Sequence, residues 1–285
     1  MRSLHTLAAA AALAVLPAAA QAETLAYLNF EDGVAGQPVF ENPGNQTVDV
    51  TGNGNDFRAF NLADSADFSA NVPYAVTPGT GAANTLSVAH PADLYDPDGP
   101  LRSYNFSNGF TLEAAVLTNN LDQFGGVFGK DGKPTDSALA PLQLKLRNDT
   151  DRYQIEVVST AGTGYEVQTN FVPTVGEWYS LAATYDGTTM SLWAKPSSDA
   201  GDYELQGSVE VPDIASDFTS TLTIGRGFYN GNIGDFFNGN IDDVRVSDVA
   251  LAPSQFLGSA AAIPEPSSLA LLGIGGLGLL ARRRA

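Results

Sequence analysis

Cysteine is absent from this 285-residue chain, and histidine, methionine and tryptophan occur only twice each. No disulfide can form, so the fold must be held by its core, with or without the help of a metal. Cysteine nucleophiles and zinc clusters built on histidine are excluded by count. Basic side chains are also scarce: 14 Lys and Arg stand against 32 Asp and Glu, a formal net charge of −18. Between residues 23 and 263 the imbalance is 31 acidic against 10 basic, a net of −21. A surface this negative repels nucleic acid and anionic lipid headgroups and tolerates divalent cations. No long stretch away from the two ends shows helical periodicity.

What the chain has instead is a series of short segments rich in Val, Ile, Thr, Tyr and Phe, separated by Gly, Asn, Asp and Pro. That spacing predicts an all-β sandwich or barrel, and about 240 residues suits a single one. Strands are expected at 25–30, 57–62, 85–88, 110–117, 126–128, 142–147, 153–158, 165–169, 203–211, 221–224 and 240–246, with a turn near 253–256. The segment 63–70 is too short and polar for a helix. The clearest unit is a hairpin over 178–194 with Asp186-Gly187 as its two-residue turn. That turn pairs Ala183 with Met190 and Leu181 with Leu192, giving one apolar face and one mostly hydroxylic face.

Both ends read as addresses. Arg2, an Ala/Leu-rich stretch over 4–16 and Ala20-Gln21-Ala22 make a secretory signal peptide with an apolar helix, placing the mature start at Glu23. At the other end Pro264-Glu265-Pro266 precedes an uncharged run over 269–281 and then Arg282-Arg283-Arg284. Thirteen helical residues cover about 20 Å, short of a bilayer core of roughly 30 Å. The arginines hold the end of such a segment on the cytoplasmic side. Gly273-Ile274-Gly275-Gly276-Leu277-Gly278 matches a dinucleotide fingerprint by letter, but only seven residues follow, so no βαβ unit can form. The three-part tail resembles the PEP-CTERM sorting signal of Gram-negative bacteria. The resemblance implies an exosortase-type processing peptidase as partner, transient inner-membrane insertion, and delivery to the cell surface or matrix.

A second resemblance lies between the ends. Phe110-Thr111-Leu112-Glu113-Ala114-Ala115-Val116, Gly176-Glu177-Trp178, Tyr185-Asp186-Gly187 and Gly239-Asn240-Ile241-Asp242-Asp243-Val244-Arg245-Val246 occur in that order. Ahead of them stand Phe30-Glu31-Asp32 and the loop Thr51-Gly52-Asn53-Gly54-Asn55-Asp56. Together they resemble the laminin-G-like branch of the concanavalin A-like jelly roll. The implied architecture is a two-sheet antiparallel jelly-roll sandwich over 23–258, flanked by the signal at 1–22 and the sorting tail at 259–285. The resemblance also sets the first strand beside the last, which would bring Glu31 and Asp32 near Asp242 and Asp243. Carboxylates gathered so repel unless neutralised, and Ca²⁺ takes six to eight oxygens from such groups. Asp32, Asn53 and Asp243 are the implied ligands of a structural Ca²⁺; strand alternation puts Asp242 on the opposite side from Asp243. Asp93, Asp96 and Asp98, interrupted by Pro97, read as a turn.

Catalytic signals are missing. His90 is the one histidine left after signal removal and sits before Pro91; there is no G-x-S-x-G elbow. Glycosidases of this fold use paired carboxylates on alternate strand positions, and no E-x-D-x-E or E-x-D-x-x-E run occurs. Glu113 and Glu156 stand singly in strands and are expected to face outward. Trp193, on the hydroxylic face of the hairpin, and Phe228 and Tyr229, in a Gly/Asn-rich loop with Phe236 and Phe237, are candidates for stacking on sugar rings. The expectation is a non-catalytic surface or matrix protein that binds exopolysaccharide or another glycan. Alternatives are a polysaccharide hydrolase or lyase on the same fold, and a structural biofilm protein with no ligand.

Overall fold

The computed structural model describes residues 22–39, 47–60, 66–78, 80–90, 93–216 and 220–259. Apart from Ala22 and Ser259, the two terminal addresses, with the apolar runs at 4–16 and 269–281, lie outside the described residues. Among the described residues there is no α-helix, only short 3₁₀ turns, and no helix long and apolar enough to cross a membrane.

Strand after strand alternates between residues buried in one core and residues on the opposite face, as a period of two requires. In chain order the strands are β1 (Thr24–Leu28), β2 (Arg58–Ala59), β3 (Asp67–Ser69), β4 (Ser87–Ala89), β5 (Leu94–Asp96) and β6 (Phe110–Thr118). Next come β7 (Gly126–Lys130), β8 (Leu142–Arg147), β9 (Arg152–Val158), β10 (Gly164–Gln168), β11 (Trp178–Tyr185) and β12 (Thr189–Pro196). The last are β13 (Glu204–Glu210), β14 (Leu222–Ile224), β15 (Gly227–Tyr229), β16 (Asn232–Gly234) and β17 (Gly239–Ser247). They form an eight-stranded antiparallel sheet, β13-β12-β11-β6-β17-β4-β3 with β1 alongside β17, and a seven-stranded one, β10-β9-β8-β7-β14-β5-β2. Leu112, Val116, Leu181, Ala183, Leu192 and Val244 of the first sheet meet Leu144, Ile155, Val157, Leu222 and Ile224 of the second in one core.

All nine residues of β6 are buried, because its second face is also covered. Phe256, fully buried in the segment after β17, lies edge-on to Tyr203 at 5.1 Å and to Trp193 at 6.1 Å. Ala182 and Leu251 complete this second, smaller cluster on the outer face of the sheet. Burying Phe256 contributes roughly 1.5–3 kcal/mol.

The β11–β12 hairpin forms, but its register differs by two residues from the one expected. Ala183 pairs with Leu192 and Leu181 with Ala194. The turn residues are Gly187 and Thr188, not Asp186 and Gly187: Asp186 N–H donates to Thr189 O at 3.3 Å, and Gly187 has φ +94°. Glycine first in the pair is the signature of a type II′ turn. The Asp186 carboxylate selects it by accepting from the amides of Thr188 and Thr189 and from the Thr188 hydroxyl. A two-residue shift keeps every side chain on its face, so the hydrophobic pattern is blind to it.

Candidate functional site

The seven-stranded sheet turns Leu142, Leu144, Leu146, Tyr153, Ile155 and Val157 to the core. Its other face therefore carries Gln143, Lys145, Gln154 and Glu156, with Glu166 opposite Glu156 and Gln168 opposite Gln154. The same face continues through Gly129 and Thr223 to Tyr95 and Arg58. Lys145, Gln143, Gln154 and Glu156 are nonetheless buried, so they must satisfy one another. Lys145 Nζ lies 2.7 Å from Glu156 Oε1, Gln154 donates to Glu156 Oε2 at 2.9 Å, and Gln168 donates to Gln154 at 2.8 Å.

Further along this face Arg226 is 1% exposed and sits between Asp131 at 2.8 Å and Asp93 at 3.2 Å, with its guanidinium 4.4 Å from the Phe60 ring centre. Burial pushes the Asp131 carboxyl up to about 6 even though Arg226 pulls it down. Glu113 and Glu156 do point away from the sandwich core, yet neither is solvated. Glu113 is buried against Arg245 at 2.6 Å, and Glu156 against Lys145.

A small ribbon, β15–β16, borders the polar face. Gln143 donates to Phe228 O at 2.8 Å, and Leu139 forms a bridge with Tyr229. Asn230 and Gly231 both have positive φ, +48° and +84°, which defines a type I′ turn and makes the ribbon tight. It holds Tyr229 56% exposed, with Ile233 and Phe236 also exposed. Phe228 and Tyr229 are thus neighbours in the ribbon that borders the polar face, with side chains on its opposite faces, Phe228 half-buried and Tyr229 exposed. Trp193 does not join them: it belongs to the other sheet, where it is half-buried against Phe256.

The first strand does lie against the last, β1 pairing with β17. Along β17 the neighbour changes from β4, beside Asn240 and Ile241, to β1, beside residues 244–247. The change falls at a β-bulge containing Asp242 and Asp243, the latter at φ +49°, so simple alternation does not run through this pair. Asp243 accepts from Tyr27 Oη at 2.5 Å and from Tyr74 Oη; Asp242 accepts from Asn84 Nδ2 at 3.0 Å. Burial raises the pKa of both carboxyls. Asp243 pushes Asp242 up further, whereas the tyrosine hydroxyls draw Asp243 down.

The residues implied as calcium ligands serve three separate hydrogen-bond sets. Asp32 accepts from Val48 N–H at 2.9 Å, Asn53 donates to the carbonyls of Thr24 and Leu25 at 3.1 Å, and Asp243 is held by the two tyrosines. Among the described residues no three acidic or histidine side chains gather closely enough to hold a metal ion. The sorting-motif residues Pro264, Glu265, Pro266, Arg282, Arg283 and Arg284 lie outside the described residues.

Asp49 escaped the sequence reading, though it organises the Gly/Asn loop. Its carboxylate accepts from the amides of Tyr27, Thr51 and Asn55 and from the Thr51 hydroxyl. The signal was its place at the head of that loop, where a short acceptor closes turns onto the amides that follow. Lys145 and Gln143 were missed because alternate polar residues in a strand read as solvent-facing.

A family model described as the concanavalin A-like lectin/glucanases superfamily matches residues 97–255, and a second, for the PEP-CTERM protein-sorting motif, matches residues 262–284. Among solved structures, the fold is similar to domain 4 of AbnA, a GH43 extracellular arabinanase from Geobacillus stearothermophilus solved with arabinotriose. That likeness has a TM-score of 0.55 at 17% identity over 82% of this chain and 96% of that one. The binding domain of Paraclostridial Mosquitocidal Protein 1 is similar with a TM-score of 0.52 at 9% identity, over 81% of this chain and 50% of that one. At these identities the likeness concerns the fold. No curated protein matches the sequence.

Proposed function

The chain belongs to the concanavalin A-like lectin/glucanases superfamily, and from that premise we propose that its β sandwich is a non-catalytic glycan-binding domain. The observation that carries the reading is the pairing of exposed aromatics, Tyr229 on the ribbon and Phe236 after it, with a polar sheet face whose edge strand keeps Glu166 exposed and Gln168 half-buried. Sugars offer apolar ring faces and a fringe of hydroxyls, so they fit an aromatic platform next to donors and acceptors. Support also comes from the fold's likeness to a domain solved with an arabinose oligosaccharide. Residues 1–22 would direct export and 23–258 would form the binding body. The tail at 259–285 would insert transiently and be processed by an exosortase-type peptidase, leaving the body at the cell surface or in an exopolysaccharide matrix.

One observation favours the hydrolase alternative: Glu166 faces Glu156 directly across β9 and β10, a carboxylate pair on one face. Against it, Glu156 is already neutralised by Lys145, and Glu166 lies 3.5 Å from Arg147. Screening the mature body against exopolysaccharides for retention and for new reducing ends separates the two. Retention without cleavage, weakened by Tyr229→Ala, is expected. Turnover at catalytic amounts, abolished by Glu166→Gln, would replace binding with hydrolysis.

A further inference from the structure

The loops ahead of β2 and after β5 enclose a pocket of about 180 Å³ walled by Asp56, Arg58, Asp96 and Asp98, with Gly54 and Gly99 at its edges. Asp96 is 1% exposed. Its Oδ1 is satisfied by the amides of Gly99 at 2.6 Å and Asp98 at 3.1 Å, which makes the acidic turn expected from the sequence. Its Oδ2 is equally buried and has no hydrogen-bond partner. A carboxylate oxygen left bare in the interior costs the full desolvation of that atom, so such atoms call for an explanation.

Asn55 Oδ1 also lies against Gly99, where it accepts from the amide of Leu101 at 2.8 Å. A Cβ at position 99 would run into Asp96 Oδ2 and lie 2.8 Å from Asn55 Oδ1, so glycine is what leaves both oxygens room. The nearby positive charges are Arg58, 3.7 Å from Asp98 and drawn over the Tyr95 ring at 5.3 Å, and Arg102, whose guanidinium donates to Pro97 O and acts on the Asp96 carboxyl. Three carboxylates against these two guanidiniums leave an excess of one negative charge. The donor set is oxygen throughout, which suits a hard divalent cation and not zinc or copper.

We propose that this pocket is a divalent-cation site of the Ca²⁺ type, with Asp96 Oδ2 as its buried ligand and Asp56 and Asp98 as outer ligands. The carboxylates do not converge on one point as they stand, so binding draws Asp98 inward. Its side chain is 86% exposed and held by the long Arg58 contact, a pairing that costs little to release. The site shares no residue with Asp32, Asn53 and Asp243, and it does not depend on glycan binding. Its effect would be to tie the loop before β2 to the loop after β5 at one end of the seven-stranded sheet.

Terbium(III) is the probe, since Tyr95 next to Asp96 can sensitise its emission, together with thermal melts in Ca²⁺ and in chelator on the mature body. Expected are tyrosine-sensitised emission and a Ca²⁺-dependent rise in Tm, both reduced about tenfold or more in apparent affinity by Asp98→Asn. Asp98 lies at the surface, so this variant folds whether or not Asp96→Asn does; Asp96→Asn, where folded, should abolish both signals. Asp32→Asn and Asp243→Asn should leave the emission unchanged. No Ca²⁺-dependent shift in the parent, or signals that Asp98→Asn leaves intact, overturns the proposal.

Discussion

The amide of Leu257 donates to Glu113 Oε1 at 2.6 Å, across 144 residues of chain. The other oxygen of Glu113 takes the Arg245 guanidinium, so one buried carboxylate fastens the closing segment onto the eight-stranded sheet. Tyr203 adds a hydrogen bond to Leu257 O at 2.7 Å, and Lys195 Nζ donates to Gly258 O at 2.5 Å. The folded body is therefore pinned to within a few residues of the sorting motif.

Glu113→Ala should destabilise the protein by about 2–4 kcal/mol, because it leaves the buried Leu257 amide without an acceptor and the half-buried Arg245 without its carboxylate. Equilibrium denaturation of the mature body measures it. A change under about 0.5 kcal/mol would mean that the closing segment is not held in this way.

The Asp242–Asp243 pair gives a pH dependence of definite sign. Burial lifts both folded-state values above those of the unfolded chain, so the folded protein keeps protons that the unfolded chain has released. Stability then falls as pH rises from the ordinary aspartate range through the raised values, and returns on acidification. Melts in chelator from about pH 5 to 8 should show this slope, and Asp243→Asn should flatten it while raising Tm at the alkaline end. A parent slope that the variant leaves unchanged assigns the effect to other groups.

Gly187→Ala should cost about 1 kcal/mol or more, since its φ of +94° is a conformation that L residues rarely adopt. Asp186→Ala should destabilise the same hairpin by removing three hydrogen bonds at once. Were the turn Asp186-Gly187, as the sequence suggests, Thr188→Gly would be neutral; with Gly187-Thr188 as turn it loosens the loop. Denaturation midpoints of the three variants decide between the registers.

Removing the exposed ring at Tyr229 should weaken retention on the bound exopolysaccharide about tenfold, equivalent to about 1.4 kcal/mol. Trp193→Ala, by contrast, should lower stability through lost packing on Phe256 and leave the affinity of the folded fraction unchanged. Affinity electrophoresis beside thermal melts separates the two effects. Equal losses of binding would return Trp193 to the ligand face.

Replacing Pro264-Glu265-Pro266 with alanines should block processing of the tail. Intact-mass spectrometry of the exported protein reads this directly: a normal mature mass in the variant would remove the motif from the processing step.

Much of the sandwich was legible because strands announce themselves locally. Expected segments at 142–147, 153–158 and 240–246 coincide with β8, β9 and β17 to within a residue at either end. The strands that went unread were short ones, β3 within 63–70, β5 inside the acidic turn, and β15 and β16 within a Gly/Asn-rich loop. Three residues are too few for alternation to stand out from chance. The hairpin register escaped for a different reason, since a slip of two leaves both faces unchanged.

Local chemistry along the chain was enough to establish the all-β class, the acidic exterior, the absence of thiol and histidine machinery, and the family resemblances at the body and the tail. Alternation, turn residues and composition are short-range properties, and a linear reading holds them in full. Which acids meet was decided only in three dimensions: Asp242 with Asp243 at a bulge, Asp93 and Asp131 on either side of Arg226, Asp96 beside Asn55. Those partners come from strands paired across long separations, and burial, which sets their charge and their need for a counter-ion, exists only once the sheets have closed on each other.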